Sequence, residues 1–279
     1  MVDIKAMSSG LFLGEDGIWY SKNKRDISYP EQGSQDFIDI EDKSFWFRHR
    51  NRCIVSLVNN YPPPDNGPVF DIGGGNGYVS LGLSDSGFTV VLVESGVNGA
   101  HNAKKRGLEH IICASFEDVG FPRRTIPAIG LFDVLEHIKD DLSFLKSIRL
   151  LLKNKGRLYI TVPAYPVLWS QEDMHAGHYR RYTLDTLTER LDRAGFTVEF
   201  STYIFRFLPL PIFLFRSIPY RLSAPYKGPT EASRSRDHAA KSKTLERLLD
   251  IALSSEIRNI QNNIPMGYGG SCLLAATNP

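Results

Sequence analysis

The chain has 279 residues, 42% of them hydrophobic, with 33 Lys and Arg against 31 Asp and Glu. That is enough apolar material for one large domain, or for one domain and a small lobe. A net charge of +2 gives no general electrostatic pull toward nucleic acid, so none is expected as a partner. Cys53, Cys113 and Cys272 stand far apart, with neither a zinc spacing nor a disulfide framework, which points to a reducing, cytoplasmic setting. Met1–Gly10 lacks a basic start ahead of a long apolar run, so no signal peptide is expected.

In chain order, residues 1–35 are polar and glycine-dotted and read as an irregular arm. From about Gln35 to Asn60 a helical pattern places Phe47, Ile54, Leu57 and Val58 on one side. The proline run Pro62–Pro64 stops it and delivers the chain to a strand, Val69–Ile72. A glycine-rich loop and a helix near Tyr78–Ser84 follow. Strands at Thr89–Glu94, Ile111–Cys113, Ala128–Phe132, Arg157–Val162 and Thr197–Tyr203 then alternate with helices near Val97–Arg106, Asp140–Leu152 and Leu184–Ala194. This rhythm implies an α/β, Rossmann-like doubly wound sheet, mainly parallel and covered on both faces. Ligands in such sheets sit at the carboxyl ends of the strands. The rhythm breaks after Tyr203. Residues 204–226 are apolar and proline-broken, 227–243 polar and basic, and a helix around Thr244–Ile257 precedes a last strand near Ser271–Ala276. The organisation read from this is an N-terminal arm and covering helix (1–60), a core (61–203), an insertion (204–265) and a closing strand (266–279).

The sharpest signal is Asp71-Ile72-Gly73-Gly74-Gly75-Asn76-Gly77 after the first core strand. Glycines permit backbone conformations closed to other residues and let a ligand approach the main chain. A dinucleotide fingerprint needs G-x-G-x-x-G. Counting from Gly73 puts Tyr78 at the third glycine position, and counting from Gly75 puts Ser80 there, so that reading fails on spacing. D-x-G-x-G-x-G fits throughout and suits a cofactor without a pyrophosphate. Glu94, about 20 residues on, ends the second strand, where a carboxylate accepts hydrogen bonds from ribose hydroxyls. Ser115 and Phe116 follow the third strand. Phe116 reads either as a lid on an adenine or as a core residue. Phe132 and Asp133 to Ile138 follow the fourth, with His137 either structural or facing a substrate.

These segments, with Leu151–Leu158 and Ala194-Gly195-Phe196, resemble the successive motifs of the class I S-adenosylmethionine (SAM)-dependent methyltransferases. Leu135-Glu136-His137-Ile138 resembles the small-molecule branch that includes ubiquinone-biosynthesis enzymes, of methyltransferase type 11/12. The resemblance covers about residues 37–203, and Pro265–Ala275 is similar to the closing strand of this branch. It implies a seven-stranded sheet with an antiparallel last strand. It also implies SAM as cofactor, S-adenosyl-L-homocysteine (SAH) as product, and transfer of a methyl group to an O, N or C atom of a small molecule. The cofactor set it implies is Asp71, Gly73, Gly75, Asn76, Gly77, Glu94, Ser95, Ser115, Phe116, Phe132 and Asp133. Pro127 stands at the start of the fourth strand where the family often has an acidic residue. Asn154-Lys155-Gly156 replaces its Pro-Gly-Gly turn, and Ser115 takes a place often held by aspartate. A catalytically inactive SAM-binding module is the alternative these departures raise.

Two segments carry the substrate expectations. In Ser44–Arg52, which precedes the core, Arg48 or Arg52 is expected to pair with the methionine carboxylate, and Trp46 or Phe47 to close the pocket. In His175-Ala176-Gly177-His178-Tyr179-Arg180-Arg181-Tyr182, Tyr179 and Arg180 suit an anionic or hydroxylated acceptor. His137, His175 and His178 are the candidates for a general base. The H-x-x-H pair has no third acidic or sulfur ligand beside it in sequence, so no metal is expected. The stretch Ile204–Ile218, broken by Arg206, Pro209, Pro211 and Arg216, is too short to span a membrane. It reads as core packing, a lid over a greasy substrate, a homodimer contact, or an interfacial membrane segment across 204–219.

Overall fold

The computed structural model describes residues 2–8, 10–22, 41–42, 44–222 and 253–279. Among the described residues, nine strands form one sheet: β1 (Leu11–Leu13), β2 (Trp19–Ser21), β3 (Val69–Ile72), β4 (Val90–Glu94), β5 (Ile111–Cys113), β6 (Ile126–Phe132), β7 (Leu152–Pro163), β8 (Thr197–Ile204) and β9 (Ser271–Thr277). Their order is β1-β2-β5-β4-β3-β6-β7-β9-β8. From β5 to β7 all pairs are parallel, and β9 lies antiparallel between β7 and β8. The seven-stranded, mainly parallel sheet with one antiparallel strand is therefore present. Its central strands read as continuous apolar runs because both faces are covered: β3 and β6 are buried throughout. One core cluster, including Phe70, Val91, Ile129 and Ile160, lies on one face, and a second, including Ile54, Val69, Leu83 and Tyr159, on the other.

The chain winds outward from β3 through β4 to β5, then returns to β6 on the other side of β3. That reversal opens a crevice beyond the carboxyl ends of β3, β4 and β6, where a ligand of a doubly wound sheet sits.

The reading of residues 1–35 as an irregular arm is corrected in its described part. β1 and β2 form an antiparallel hairpin, and β2 adds to β5 in parallel, Trp19 opposite Ile112. Ile18 is fully buried against Leu92 and Ile111. The hairpin covers what would otherwise be an exposed sheet edge at β5. Its strands have three residues each, too few for alternation to register.

The helix Phe45–Asn60 is capped by Ser44, whose side chain accepts from the Trp46 N–H, and it buries Cys53, Ile54, Leu57 and Val58. Beyond β8, residues 209–221 run as a helix with a wide turn at Phe213–Ser217. Of the helix expected at Thr244–Ile257, only the part from 253 onward is among the described residues, helical over 253–261. The basic stretch 227–243 lies outside them. No helix of the described residues is long and apolar enough to cross a membrane.

Candidate functional site

The loop after β3 carries the geometry its glycines allow. Gly73, Gly75 and Gly77 have φ of +70°, +56° and +76°, a region in which an L side chain is strained. A side chain at Gly75 would meet nothing within 4 Å of its Cβ, so the loop faces open space at the strand ends. Gly74 has the opposite constraint: its Cβ would stand 2.2 Å from Leu92 Cδ1. Beneath the loop, Asp71 is fully buried and its Oδ2 accepts from the Ser80 hydroxyl at 2.6 Å, while Oδ1 has no partner. Burial pushes its carboxyl up to about 6, against the pull of Ser80 and of the Arg50 charge. Asn76 does not face the opening. It is buried beside Asn102 and Glu41, accepting from Asn102 Nδ2 at 3.0 Å, and braces the loop from behind.

Glu94 ends β4 against this loop. One carboxylate oxygen accepts the Gly75 N–H at 2.9 Å and the other the Gly96 N–H at 2.6 Å. Burial raises its pKa, partly offset by these backbone donors. The carboxylate thus fixes the loop while standing at the mouth of the crevice. Ser95 is half-buried beside it. Ser115 precedes a short helix and donates to Asp118 at 2.7 Å, and Phe116 packs half-buried, edge-on to Phe144. Phe132 is a buried core residue under Gly130.

At the end of β6, Asp133 has φ +58° and turns its carboxylate into the crevice, accepting from the Thr161 hydroxyl at 2.9 Å. Its other partner is Arg50, paired to it by a short contact. The Arg50 guanidinium lies 4.7 Å from the Trp46 ring centroid and 5.6 Å from that of Phe47. Burial brings its pKa down to about 10, against the pull of Glu41, Asp71 and Glu136. The arginine at the strand ends is therefore Arg50. Arg48 is exposed and reaches back toward the Asp42 carbonyl. The helical period carried the signal: Arg50 stands four residues before Ile54 on the buried face, and Arg48 six. Trp46 closes this corner, stacked on Phe205 at 5.5 Å with the planes 4° apart.

The His175–Tyr182 segment folds against the turn after β6. Tyr179 donates its N–H to the Glu136 carbonyl at 2.8 Å, but its side chain is exposed. Arg180 reaches the Ile138 and Lys139 carbonyls at 2.8 and 2.6 Å and Asp141 at 3.0 Å, so it staples the two segments. Those contacts commit it to the protein's own acceptors. His175 is exposed on the Gln171–Ala176 helix. His178 and His137 come together, ring centroids 4.8 Å apart and nearly perpendicular. Burial and the neighbouring His178 bring His137 down to about 4, so it is neutral. His178 Nδ1 bonds Asp173 at 2.9 Å. Burial alone would raise Asp173, but the bonds from His178 and Arg181 outweigh it and hold it at about 2.

A SAM molecule fits this donor set. Glu94 would hold the ribose hydroxyls, the Gly73–Gly77 backbone would approach the chain between ribose and sulfur, and Arg50 with Asp133 offers one charge each to a methionine carboxylate and ammonium.

Comparison with known proteins agrees. Residues 46–200, more than half of the chain, match a family model described as a methyltransferase domain. A probable S-adenosylmethionine-dependent methyltransferase of Mycobacterium tuberculosis is 23% identical over 167 residues, 59% of this chain and 60% of that protein. The chain thus spans about 60% of the length of the curated relatives it matches first. Among solved structures, Haemonchus contortus phosphoethanolamine N-methyltransferase 2 with SAM superposes with a TM-score of 0.55 at 17% identity. That match covers 94% of this chain and 62% of that one. A SAM-dependent methyltransferase from Archaeoglobus fulgidus gives 0.50 at 15%, covering 81% and 94%. By its motif order, its sheet topology and its match over residues 46–200, the chain belongs to the methyltransferase-domain family.

Proposed function

We propose that the protein transfers the methyl group of SAM to a small-molecule acceptor held beside the turn after β6. The observation that carries this reading is Glu94 bridging the glycine loop and Gly96 at the strand ends, with Arg50 and Asp133 across the crevice. SAM supplies a methyl group made electrophilic by its sulfonium. The protein's contribution is placement, which is a large share of rate enhancement in such transfers. Arg50, Asp133 and the loop hold the cofactor, and Trp46 with Phe205 excludes water at its edge.

The acceptor side is supported by the Glu136, His137 and His178 cluster. His178 is the stronger candidate base, because Asp173 fixes its Nδ1 as the donor and leaves Nε2 free to take a proton from an acceptor hydroxyl. His137 is its neutral neighbour. The pairing of this Leu135–Ile138 turn with an aromatic N-terminal helix supports an acceptor of the small-molecule branch, with a partly apolar body and a hydroxyl. Leu210, Leu214, Phe215 and Leu222 are each exposed, and residues 204–243 carry eight Lys and Arg against two acidic residues. This supports a peripheral contact with an anionic lipid surface. Flotation with anionic vesicles tests it, and a chain that stays with the soluble fraction discards it.

The function is tested by calorimetry with SAM and SAH, followed by transfer of labelled methyl to a panel of small hydroxylated and amine acceptors. One bound SAH per chain and labelled product are expected. No binding at millimolar SAH discards the reading.

A further inference from the structure

The helix at the end of the insertion, residues 253–261, lies far along the chain from the cofactor motifs. It reaches their covering helix through a buried side chain, Glu256. The side chains of Glu256 and His49 are each 2% exposed. Glu256 Oε2 accepts from His49 Nε2 at 2.9 Å and from the Phe205 N–H at 2.8 Å, and Oε1 accepts from the Arg206 N–H at 2.8 Å. A carboxylate this deep is costly unless donors surround it, and here three do. Two of them are successive backbone N–H groups, an arrangement that binds anions.

These bonds hold a strained residue. Phe205 follows β8 and has φ +61°, which a bulky side chain adopts only where its surroundings impose it. Its buried ring meets two residues of the helix Phe45–Asn60 that stand three positions apart on one face. It stacks on Trp46 at 5.5 Å and lies edge-on to His49 at 5.1 Å. Trp46 in turn carries the Arg50 guanidinium 4.7 Å from its ring centroid, and Arg50 pairs with Asp133 in the crevice. A continuous series of contacts thus runs from Glu256 through Phe205 and Trp46 to the charged groups at the strand ends. The other end of the same helix is tied to the same segment by a different bond. Asn60 Nδ2 donates to the Ile260 carbonyl at 2.7 Å and to Asn263 Oδ1 at 3.0 Å. Asn60 stands ten positions after Arg50, nearly three turns along the helix, so it fastens the helix away from the crevice.

We propose that Glu256 is a positioning residue of the cofactor site: by fixing Phe205 and His49 it sets Trp46 and Arg50 in place for SAM, and through it the insertion completes that site. This role rests on the reading of Arg50 and Trp46 as cofactor-facing. Glu256 acts through them, since its own oxygens are committed to His49, Phe205 and Arg206. The coupling is reciprocal: a group that favours SAM binding is itself favoured by bound SAM. Bound cofactor therefore fastens the 253–261 helix, whose Leu253, Ile257 and Ile260 pack in the core cluster with Ile54 and Leu57.

The test uses the full chain and SAH. Hydrogen exchange on the wild-type protein needs no variant and is expected to slow over 253–261 when SAH binds. By calorimetry, Glu256→Gln is expected to bind SAH about tenfold more weakly than wild type, because its amide nitrogen then faces one of the three donors. Asn60→Ala is expected to lower Tm while keeping SAH affinity within about twofold of wild type. A carboxylate that merely fastened the helix would behave as Asn60 does, with Tm lowered and affinity kept. Unchanged exchange over 253–261, wild-type affinity in Glu256→Gln, or an equal affinity loss in Asn60→Ala each overturns the proposal. If Glu256→Gln fails to fold, the exchange result decides. Arg50→Met at wild-type affinity discards the cofactor-facing reading and this role with it. Weak binding in Arg50→Met beside normal binding in Glu256→Gln keeps that reading and overturns the role of Glu256 alone.

Discussion

Glu94→Ala is the substitution with the most to say about the cofactor site. In the folded protein this carboxylate accepts two backbone N–H groups, from Gly75 at 2.9 Å and Gly96 at 2.6 Å. Hydrogen bonds to a charged group contribute about 1.5–3 kcal/mol each. Water entering the vacated space recovers part of this, because the site opens on the crevice. A loss of about 2–4 kcal/mol follows, or roughly 5–15 °C in Tm for a domain of this size. The same carboxylate is the group that would receive the ribose hydroxyls. Removing it takes a further 1.5–3 kcal/mol or so from the bound state, about 10- to 100-fold in Kd. Glu94→Gln keeps the shape but turns a donor toward one of two backbone donors, so it falls between. Differential scanning fluorimetry without ligand and calorimetry with SAH read the two effects separately. A Glu94→Ala protein whose SAH Kd stays within twofold of wild type refutes the ribose assignment, and an unchanged Tm refutes the loop-fixing one.

Other expectations follow from the same geometry. Arg50→Met is expected to weaken SAH binding about tenfold or more, while Arg48→Met leaves it within twofold; calorimetry giving the reverse order returns the assignment to Arg48. Burial lifts Asp71 from 3.8 to about 6 in the folded chain, so between those values the folded state holds more protons than the unfolded one. Wild-type stability then falls as pH rises through that window and levels off above it. Relative to wild type, Asp71→Asn gains up to about 3 kcal/mol between pH 4 and pH 6–7. A stability difference that does not change with pH across that range counts against the burial argument. Gly74→Ala places a methyl 2.2 Å from Leu92 Cδ1 and 2.7 Å from Asp71 Oδ2. It is expected to cost roughly 1–3 kcal/mol by overpacking, read as a lower urea midpoint, and a midpoint equal to wild type would mean that the loop gives way freely.

Much of the sheet could be read along the chain. Buried parallel strands are short apolar runs bounded by turns, and their alternation with helices is a local pattern, so it places β3 to β8 within two residues, except that β7 begins at Leu152, five residues before the expected Arg157. The glycine loop was legible for the same reason, since three alternating glycines mark backbone with positive φ, which strains most other residues. Even Arg50 lay within reach, through the period of a helix whose apolar face was already identified. The hairpin β1–β2 was not legible. Three-residue strands are stabilised by the edge of β5, about 90 residues further along, and not by their own pattern. The roles of the histidines depended on distance in space alone. His175 and His178 are equivalent by sequence, yet one is exposed and the other meets Asp173, His137 and Glu136. Arg180 and Asn76, both polar residues in apparently functional loops, turn inward to satisfy the protein's own carbonyls and amides. Period and backbone conformation are local properties, so a doubly wound sheet with a cofactor loop at its strand ends can be read along the chain. Which charged side chains face the crevice cannot be read there, because it depends on which partners the crossovers bring within hydrogen-bonding distance.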